Sequence, residues 1–203
     1  MKNRLFIAID GPAASGKGTI AKLLGEKLKL TVLYTGNIYR AIAYSIIKNN
    51  QNINEHSVVE IAKNLKLSEL DNPDLIQKKV GEYASIIGSY PKLREVTYIF
   101  QRNFINDSNG AVIEGRDIGT VICPEANFKF YLTADVEVRA KRRFTQQNEF
   151  DFEAILLDLK QRDYRDQNRE IAPLKPAKDA IIIDSSSLDV SNTLNKVYEY
   201  IVS

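Results

Sequence analysis

The sequence predicts an α/β protein built on a five-stranded parallel sheet with helices on both faces. Three observations lead there. Short apolar runs ending near residues 9, 34, 114, 132 and 183 alternate with stretches of helical periodicity. A glycine-rich turn, Gly11-Pro12-Ala13-Ala14-Ser15-Gly16-Lys17-Gly18-Thr19, directly follows the first apolar run. Residues 49–109, in contrast, carry helical patterns and no convincing strand, which marks a helical segment inserted between strands two and three.

In chain order, residues 4–9 read as a buried strand, and a helix from about Gly18 to Leu30 puts Ile20, Leu23, Leu24 and Leu28 on one stripe. Thr31-Val32-Leu33-Tyr34 is the second strand, with Thr35 placed to cap a helix whose apolar face runs through Ile38, Ile42, Ala43, Ile46 and Ile47. Val58 to Leu67 is helical, Asp71-Asn72-Pro73 breaks the chain, and helices from about Asp74 to Ile87 and Lys92 to Asn106 come next. After the turn signal Asn109-Gly110, Ala111 to Glu114 forms the third strand and stops at Gly115-Arg116-Asp117. Phe128 to Leu132 is the fourth strand, a basic helix begins near Val136, and a second helix spans residues 152–169. Ala180 to Ile183 is the fifth strand, and residues 189–202 close the chain as an amphipathic helix. Ligands of such sheets sit beyond the carboxyl ends of the strands, where Lys17, Thr35, Arg116, Asp117 and Asp184 all fall.

With 203 residues the chain is expected to be one domain with a small inserted segment. No run approaches the roughly 18 apolar residues of a membrane span, and the strand behind Met1-Lys2-Asn3-Arg4 is too short for a signal-peptide core, so the expectation is a cytoplasmic protein. The single cysteine, Cys123, reads as a small buried hydrophobe, and the single histidine, His56, as a surface residue. One cysteine and one histidine leave too few parts for zinc or Ser-His chemistry. A net charge of +2 argues against a whole-surface nucleic-acid binder.

An apolar strand emptying into a glycine-rich turn and then a helix wraps backbone N–H groups around a phosphate. Gly11, Gly16 and Gly18 let that backbone turn tightly, Lys17 supplies a cation, and Thr19 or Ser15 offers a hydroxyl to Mg²⁺. The hydroxyl comes one position later than in the strict motif, and a Gly-Lys-Gly-Thr ending resembles the nucleoside monophosphate kinases.

In the helix over 152–169, the apolar stripe Phe152, Ile155, Leu156 and Leu159 continues at the same steps onto Arg162, Asp166 and Arg169. Either this face enters a cleft that holds anionic phosphates, or it is a solvated helix end laced by ion pairs. Gly115-Arg116-Asp117 puts a cation and a carboxylate after the third strand, and a carboxylate can accept from the exocyclic amino group of cytosine where uracil presents an oxygen.

Read together, the phosphate loop, Tyr34-Thr35-Gly36-Asn37-Ile38-Tyr39-Arg40, Glu114-Gly115-Arg116-Asp117-Ile118-Gly119-Thr120-Val121 and Arg162-Asp163-Tyr164-Arg165-Asp166-Gln167-Asn168-Arg169 resemble the bacterial cytidylate kinases nearly end to end. The resemblance implies a single P-loop kinase domain over 1–203, with an acceptor-binding insert at 36–109 and a lid with its arginine-rich helix at 143–169. It implies that residues 11–19 bind ATP and that Thr35, Arg40, Ser85, Arg94, Arg116, Asp117, Arg162, Asp166 and Arg169 bind CMP or dCMP. Within that set, Ser85, Arg94 and Asp117 would read cytosine. Lys17, Arg116 and Arg162 would be catalytic, Thr19 would meet the metal, and Mg²⁺ would accompany ATP. The region around Arg143 to Asn148 would serve as a mobile lid, and Asp184 to Ser187 would lie near the adenine. The partners implied are these nucleotides alone, with no nucleic acid or membrane, and a monomer is expected.

Two departures stand out. Leu67 to Ile76 is too short to encode the small extra sheet that better-known members carry in the insert, and Tyr34 stands where an aspartate is familiar, with Thr35 in place of serine. Three other readings remain: a kinase for UMP, AMP or a non-nucleotide acceptor, a regulatory nucleotide-binding module, and a nucleic-acid binder using the cluster Arg139, Lys141, Arg142 and Arg143. The second lacks an Asn-Lys-x-Asp guanine motif, and a phosphate-facing lid would account for the cluster.

Overall fold

The computed structural model describes residues 4–147 and 151–203. Along the chain the elements are β1 (Leu5–Asp10), α1 (Lys17–Leu28), β2 (Thr31–Tyr34), α2 (Thr35–Lys48), α3 (Glu55–Lys63), α4 (Lys78–Ile87), α5 (Pro91–Asp107), β3 (Gly110–Gly115), β4 (Phe128–Thr133), α6 (Val136–Gln147), α7 (Phe152–Asn168), β5 (Ile181–Asp184) and α8 (Val190–Val202). Asn148, the end of the expected lid stretch, lies outside the described residues, as do the two residues after it.

The chain forms two compact units, Met1–Leu33 with Ser108–Ser203, and Tyr34–Asp107. The first is the predicted α/β body, its five strands all parallel in the order β2-β3-β1-β4-β5 with helices on both faces. β1 is central, in register with β3 from Leu5 opposite Gly110 to Asp10 opposite Gly115, and with β4 from Ile7 opposite Phe128 to Asp10 opposite Tyr131. Ile7, Ala8, Ile9, Val112, Ile113, Phe130 and Leu132 are all buried, as continuous apolar strands covered on both faces must be. The register brings the ends of β1 and β3 level, so the loops leaving Asp10 and Gly115 emerge side by side. Short polar side chains start two of the helices here: Asp151 accepts from Ala154 N–H at 3.0 Å ahead of α7, and Asp189 from Asn192 N–H at 2.7 Å ahead of α8.

The second unit is helical throughout. α2 packs against α3 and α4, and α3 against α5, around buried Ile38, Ile42, Ile46, Val58, Val80 and Ile87. Thr35 differs from its expected role: it is the first residue of α2 and is buried, while Tyr34 occupies the cap position and its side chain makes no capping bond to the helix. β2 runs straight into α2, leaving no loop residue from which a hydroxyl could fold back. Pro73 delays α4, because it starts a 3₁₀ turn (Pro73–Ile76), with Asn72 accepting from Asp74 N–H at 2.9 Å. A second 3₁₀ turn (Leu67–Asp71) precedes it, so Leu67 to Ile76 holds no strand.

Candidate active site

The glycine-rich turn lies between β1 and α1. Gly11 has φ 149° and Gly16 φ 92°, and a Cβ on Gly11 would overlap the Leu132 carbonyl oxygen in β4, so both positions require glycine. Gly18, expected to help the turn, is instead the second residue of α1. The left-handed position that sequence reasoning did not foresee is Ala14, at φ 58°. Lys17 opens the helix, is 5% exposed, and donates from Nζ to the Pro12 carbonyl at 2.8 Å. Burial and then the neighbouring Arg116 push its ammonium down to about 7, against the opposing pull of Glu114 and Asp10. Ser15 Oγ is buried with no hydrogen-bond partner, Ala13 is buried, and Thr19 is exposed on the first turn of α1.

At the end of α7 the charged continuation of the apolar stripe is partly to deeply buried and paired with residues of other elements as well as its own. Asp166 Oδ2 accepts from Arg116 Nε at 2.8 Å, and its other oxygen lies 3.8 Å from Arg169 Nη1. Arg169, 7% exposed in its side chain, also pairs through Nη2 with Asp117 Oδ1 at 3.3 Å. Asp158 joins two more arginines, Arg143 Nη1 at 2.8 Å and Arg162 Nη1 at 3.7 Å. Burial would raise the Asp166 carboxyl, but Arg116, Arg169 and Arg162 outweigh it and hold the group below the usual carboxylate range. Four candidate residues from distant parts of the sequence, Arg116, Asp117, Asp166 and Arg169, thus form one network beside the end of β3.

In the second unit, Arg40 Nη1 donates to the Leu75 carbonyl at 2.6 Å, and Gly81 leaves the space that its guanidinium fills. Arg94 is buried, donates to the Gly88 carbonyl at 3.1 Å and lies over the Tyr39 ring, 5.9 Å from its centroid. Ser85 Oγ on α4 is buried without a hydrogen-bond partner, a cost of about 1–3 kcal/mol that a polar ligand atom would relieve.

Three contributions were missed in the sequence. Asp10, 4% exposed at the end of β1, accepts from Ile118 N–H and Gly119 N–H at 2.8 Å each, tying the phosphate-loop strand to the π-helical turn Ile118–Ile122 behind Arg116 and Asp117. Burial lifts its carboxyl to about 6 although both N–H groups favour the charged form. Arg142 turns inward, donating to the Ser185 and Leu188 carbonyls at 2.6 and 3.2 Å, and Arg139 is buried as well. These two arginines of the cluster are thus engaged by carbonyls of the body's own loops. Asp163, paired with Arg139, was within reach of the pattern: it lies four residues beyond Leu159 on the apolar stripe of α7.

Desolvated cations crowded beside a backbone cradle suit a ligand with several negative charges. Comparison with known proteins agrees. The cytidylate kinase family model matches residues 7–203. A cytidylate kinase from Bradyrhizobium diazoefficiens is 46% identical over 202 residues, 97% of this chain and 95% of that protein. Two solved structures share the fold at low identity: a gluconokinase from Sinorhizobium meliloti 1021 (TM-score 0.54, 9% identical, covering 100% of this chain and 98% of that one) and a shikimate kinase from Bacteroides thetaiotaomicron (TM-score 0.53, 11% identical, covering 98% and 99%). With its family model matched over nearly the whole length and its phosphate loop and arginine–aspartate network in place, the chain belongs to the cytidylate kinase family.

Proposed function

We propose that the protein transfers the γ-phosphoryl group of ATP to CMP or dCMP, giving ADP and CDP or dCDP. The observation that carries the reading is the geometry of the glycine-rich turn: with Gly11 at φ 149° and Gly16 at φ 92° it brings the buried Lys17 to the head of α1 beside a backbone cradle, where burial and then Arg116 push its ammonium down to about 7. Such a group waits for an anion, and a polyphosphate brought to the loop restores its charge.

In this reading residues 11–19 hold ATP. Arg116 and Arg162 neutralise charge on the transferring group, and Lys17 does so from the loop. Thr35, Arg40, Ser85, Arg94, Asp117, Asp166 and Arg169 hold the acceptor, with Asp117 and the unsatisfied Ser85 hydroxyl reading cytosine. The attacking atom is already an anionic phosphate oxygen, so the site needs alignment and charge neutralisation rather than a strong base. Mg²⁺ would come with ATP, and the buried, unpartnered Ser15 hydroxyl fits a role beside Thr19 and Glu114 in holding it. Such an ion would supply positive charge to neutralise that of the phosphates. Residues 36–109 would form the acceptor-binding insert and 143–169 the lid with its flanking arginine-rich helix. The protein would work as a cytoplasmic monomer in pyrimidine nucleotide metabolism, without nucleic acid or membrane as partner. Among the described residues no helix is long and apolar enough to cross a membrane.

The test is ADP formation from Mg·ATP with CMP, dCMP, UMP and AMP offered separately. Fast turnover confined to CMP and dCMP is expected, and comparable rates with UMP would overturn the assignment of the acceptor. A second expectation concerns Lys17. At pH 8 its side chain is mostly neutral in the free protein, so ATP binding should take up about one proton. Calorimetric titrations in buffers of different ionisation enthalpy read this directly, and a binding heat independent of buffer contradicts it.

A further inference from the structure

The apex of the phosphate loop is built into the base of the α6–α7 hairpin. Ala13 belongs to an apolar cluster with Ala140, Ile155 and Leu159, against which Ala14, Val136, Phe144, Phe152 and Leu156 pack. Arg139 of α6, only 5% exposed, reaches the Ala13 carbonyl of this cluster. Each of its three nitrogens is engaged: Nε donates to the Ala134 carbonyl at 2.8 Å, Nη1 to the Ala13 carbonyl at 3.0 Å, and Nη2 pairs with Asp163 Oδ2 on α7 at 2.7 Å.

We propose that Arg139 is a positioning residue for ATP, holding the phosphate loop in its binding conformation, and that Asp163 in turn holds Arg139. The reason lies in the peptide between Ala13 and Ala14. A trans peptide is planar, so its carbonyl and its N–H point in opposite directions. Pinning the Ala13 oxygen toward Arg139 turns the Ala14 N–H the other way, and a nest of inward N–H groups is what a phosphate needs. Were this peptide to flip, a carbonyl dipole would face the phosphate and repel it. The flip is a real hazard, because Ala14 sits at φ 58°, a conformation that costs an alanine energy and that no glycine relieves here. The clamp also explains why a full positive charge is buried beside the loop: only a guanidinium reaches two carbonyls and a carboxylate from one planar group. Asp163 Oδ1 has no hydrogen-bond partner, so this carboxylate is placed for Arg139 rather than for its own satisfaction. Because the clamp spans α6, α7 and the loop, any displacement of the hairpin reaches ATP through Arg139.

The inference rests on the loop being the ATP site, and the experiment separates the two. Equilibrium titration calorimetry measures ATP and CMP affinity for the unaltered protein, Arg139→Lys and Asp163→Asn, alongside KM, kcat and thermal melting. Lysine keeps the charge but reaches fewer acceptors, so Arg139→Lys should raise Kd and KM for ATP about tenfold, with CMP affinity unchanged within about twofold. Asp163→Asn, which keeps both carbonyl bonds of Arg139, should weaken ATP about threefold and decides the matter if the first variant fails to fold. ATP affinity unchanged in a folded variant, or ATP and CMP affinities falling together, would overturn the proposal. Failure of the unaltered protein to bind ATP would instead refute the reading of the loop.

Discussion

Replacing Lys17 with methionine should lower kcat for ADP formation from ATP and CMP by about 10³-fold, the scale on which single transition-state charge contacts act. The fold should survive, because the side chain contributes little to stability as it stands. Lys17 is 5% exposed and donates to the Pro12 carbonyl, a contact worth about 1 kcal/mol, while burial opposes its charge. Methionine keeps the unbranched stem, one atom shorter, and removes a charge that the free protein holds at a cost. The melting temperature at pH 7 should therefore move by no more than a few degrees.

The pH dependence gives a second readout. The folded-state value is about 7 against 10.5 for the free side chain, so between them the unfolded chain binds more protons than the native one. Stability of the unaltered protein should then rise with pH across that window, and the rise should be missing in Lys17→Met. Turnover within tenfold of the unaltered enzyme, measured by coupled assay on a variant with a normal melting curve, would remove Lys17 from the mechanism.

Asp166→Ala should do the opposite to the fold: a loss of about 3–5 kcal/mol, and with it about 10 °C in melting temperature. The carboxylate is 16% exposed and stands between Arg116 at 2.8 Å and Arg169 at 3.8 Å, so deleting it leaves two guanidinium groups without their shared counter-charge. Arg116 retains 27% exposure, and water offsets part of the penalty, so the lower end of the range is expected. Because Arg169 also holds Asp117 at 3.3 Å, the loss should reach the acceptor, raising KM for CMP more than KM for ATP. The folded-state carboxyl lies below its ordinary value, so its stabilisation is complete above about pH 4 and is lost as the pH falls through the folded-state value. Differential scanning calorimetry and steady-state kinetics test this together. A melting temperature within two degrees of the parent and an unaltered KM for CMP would show that the network is ornamental to both folding and catalysis.

Much of the site was legible because its signals are local. Gly11, Gly16 and Lys17 lie within one turn of chain behind an apolar strand, and backbone sterics alone make that spacing a phosphate cradle. The switch from Leu159 to Arg162 and Asp166 on one face of α7 was equally readable, since helical periodicity places those residues together whatever surrounds them. Local patterns failed where a neighbour in space decides. Thr35 looks like a cap until β2 is seen to enter α2 without a loop. The basic cluster of α6 looks like one phosphate-facing patch until Arg142 is found on the Ser185 and Leu188 carbonyls and Arg139 on that of Ala13.

By itself, then, the amino-acid order determined the α/β alternation, the helical insert and the phosphate loop, each an outcome of steric preference and burial periodicity within a few turns of chain. Only the tertiary structure decided which charges are partners. Arg116 meets Asp166 across 50 residues and Asp10 meets Gly119 across 109, because parallel pairing of β1 with β3 and β4 brings their ends level. Charge attraction has no preferred spacing along a chain, so its pairings follow from the packing and cannot be read before it.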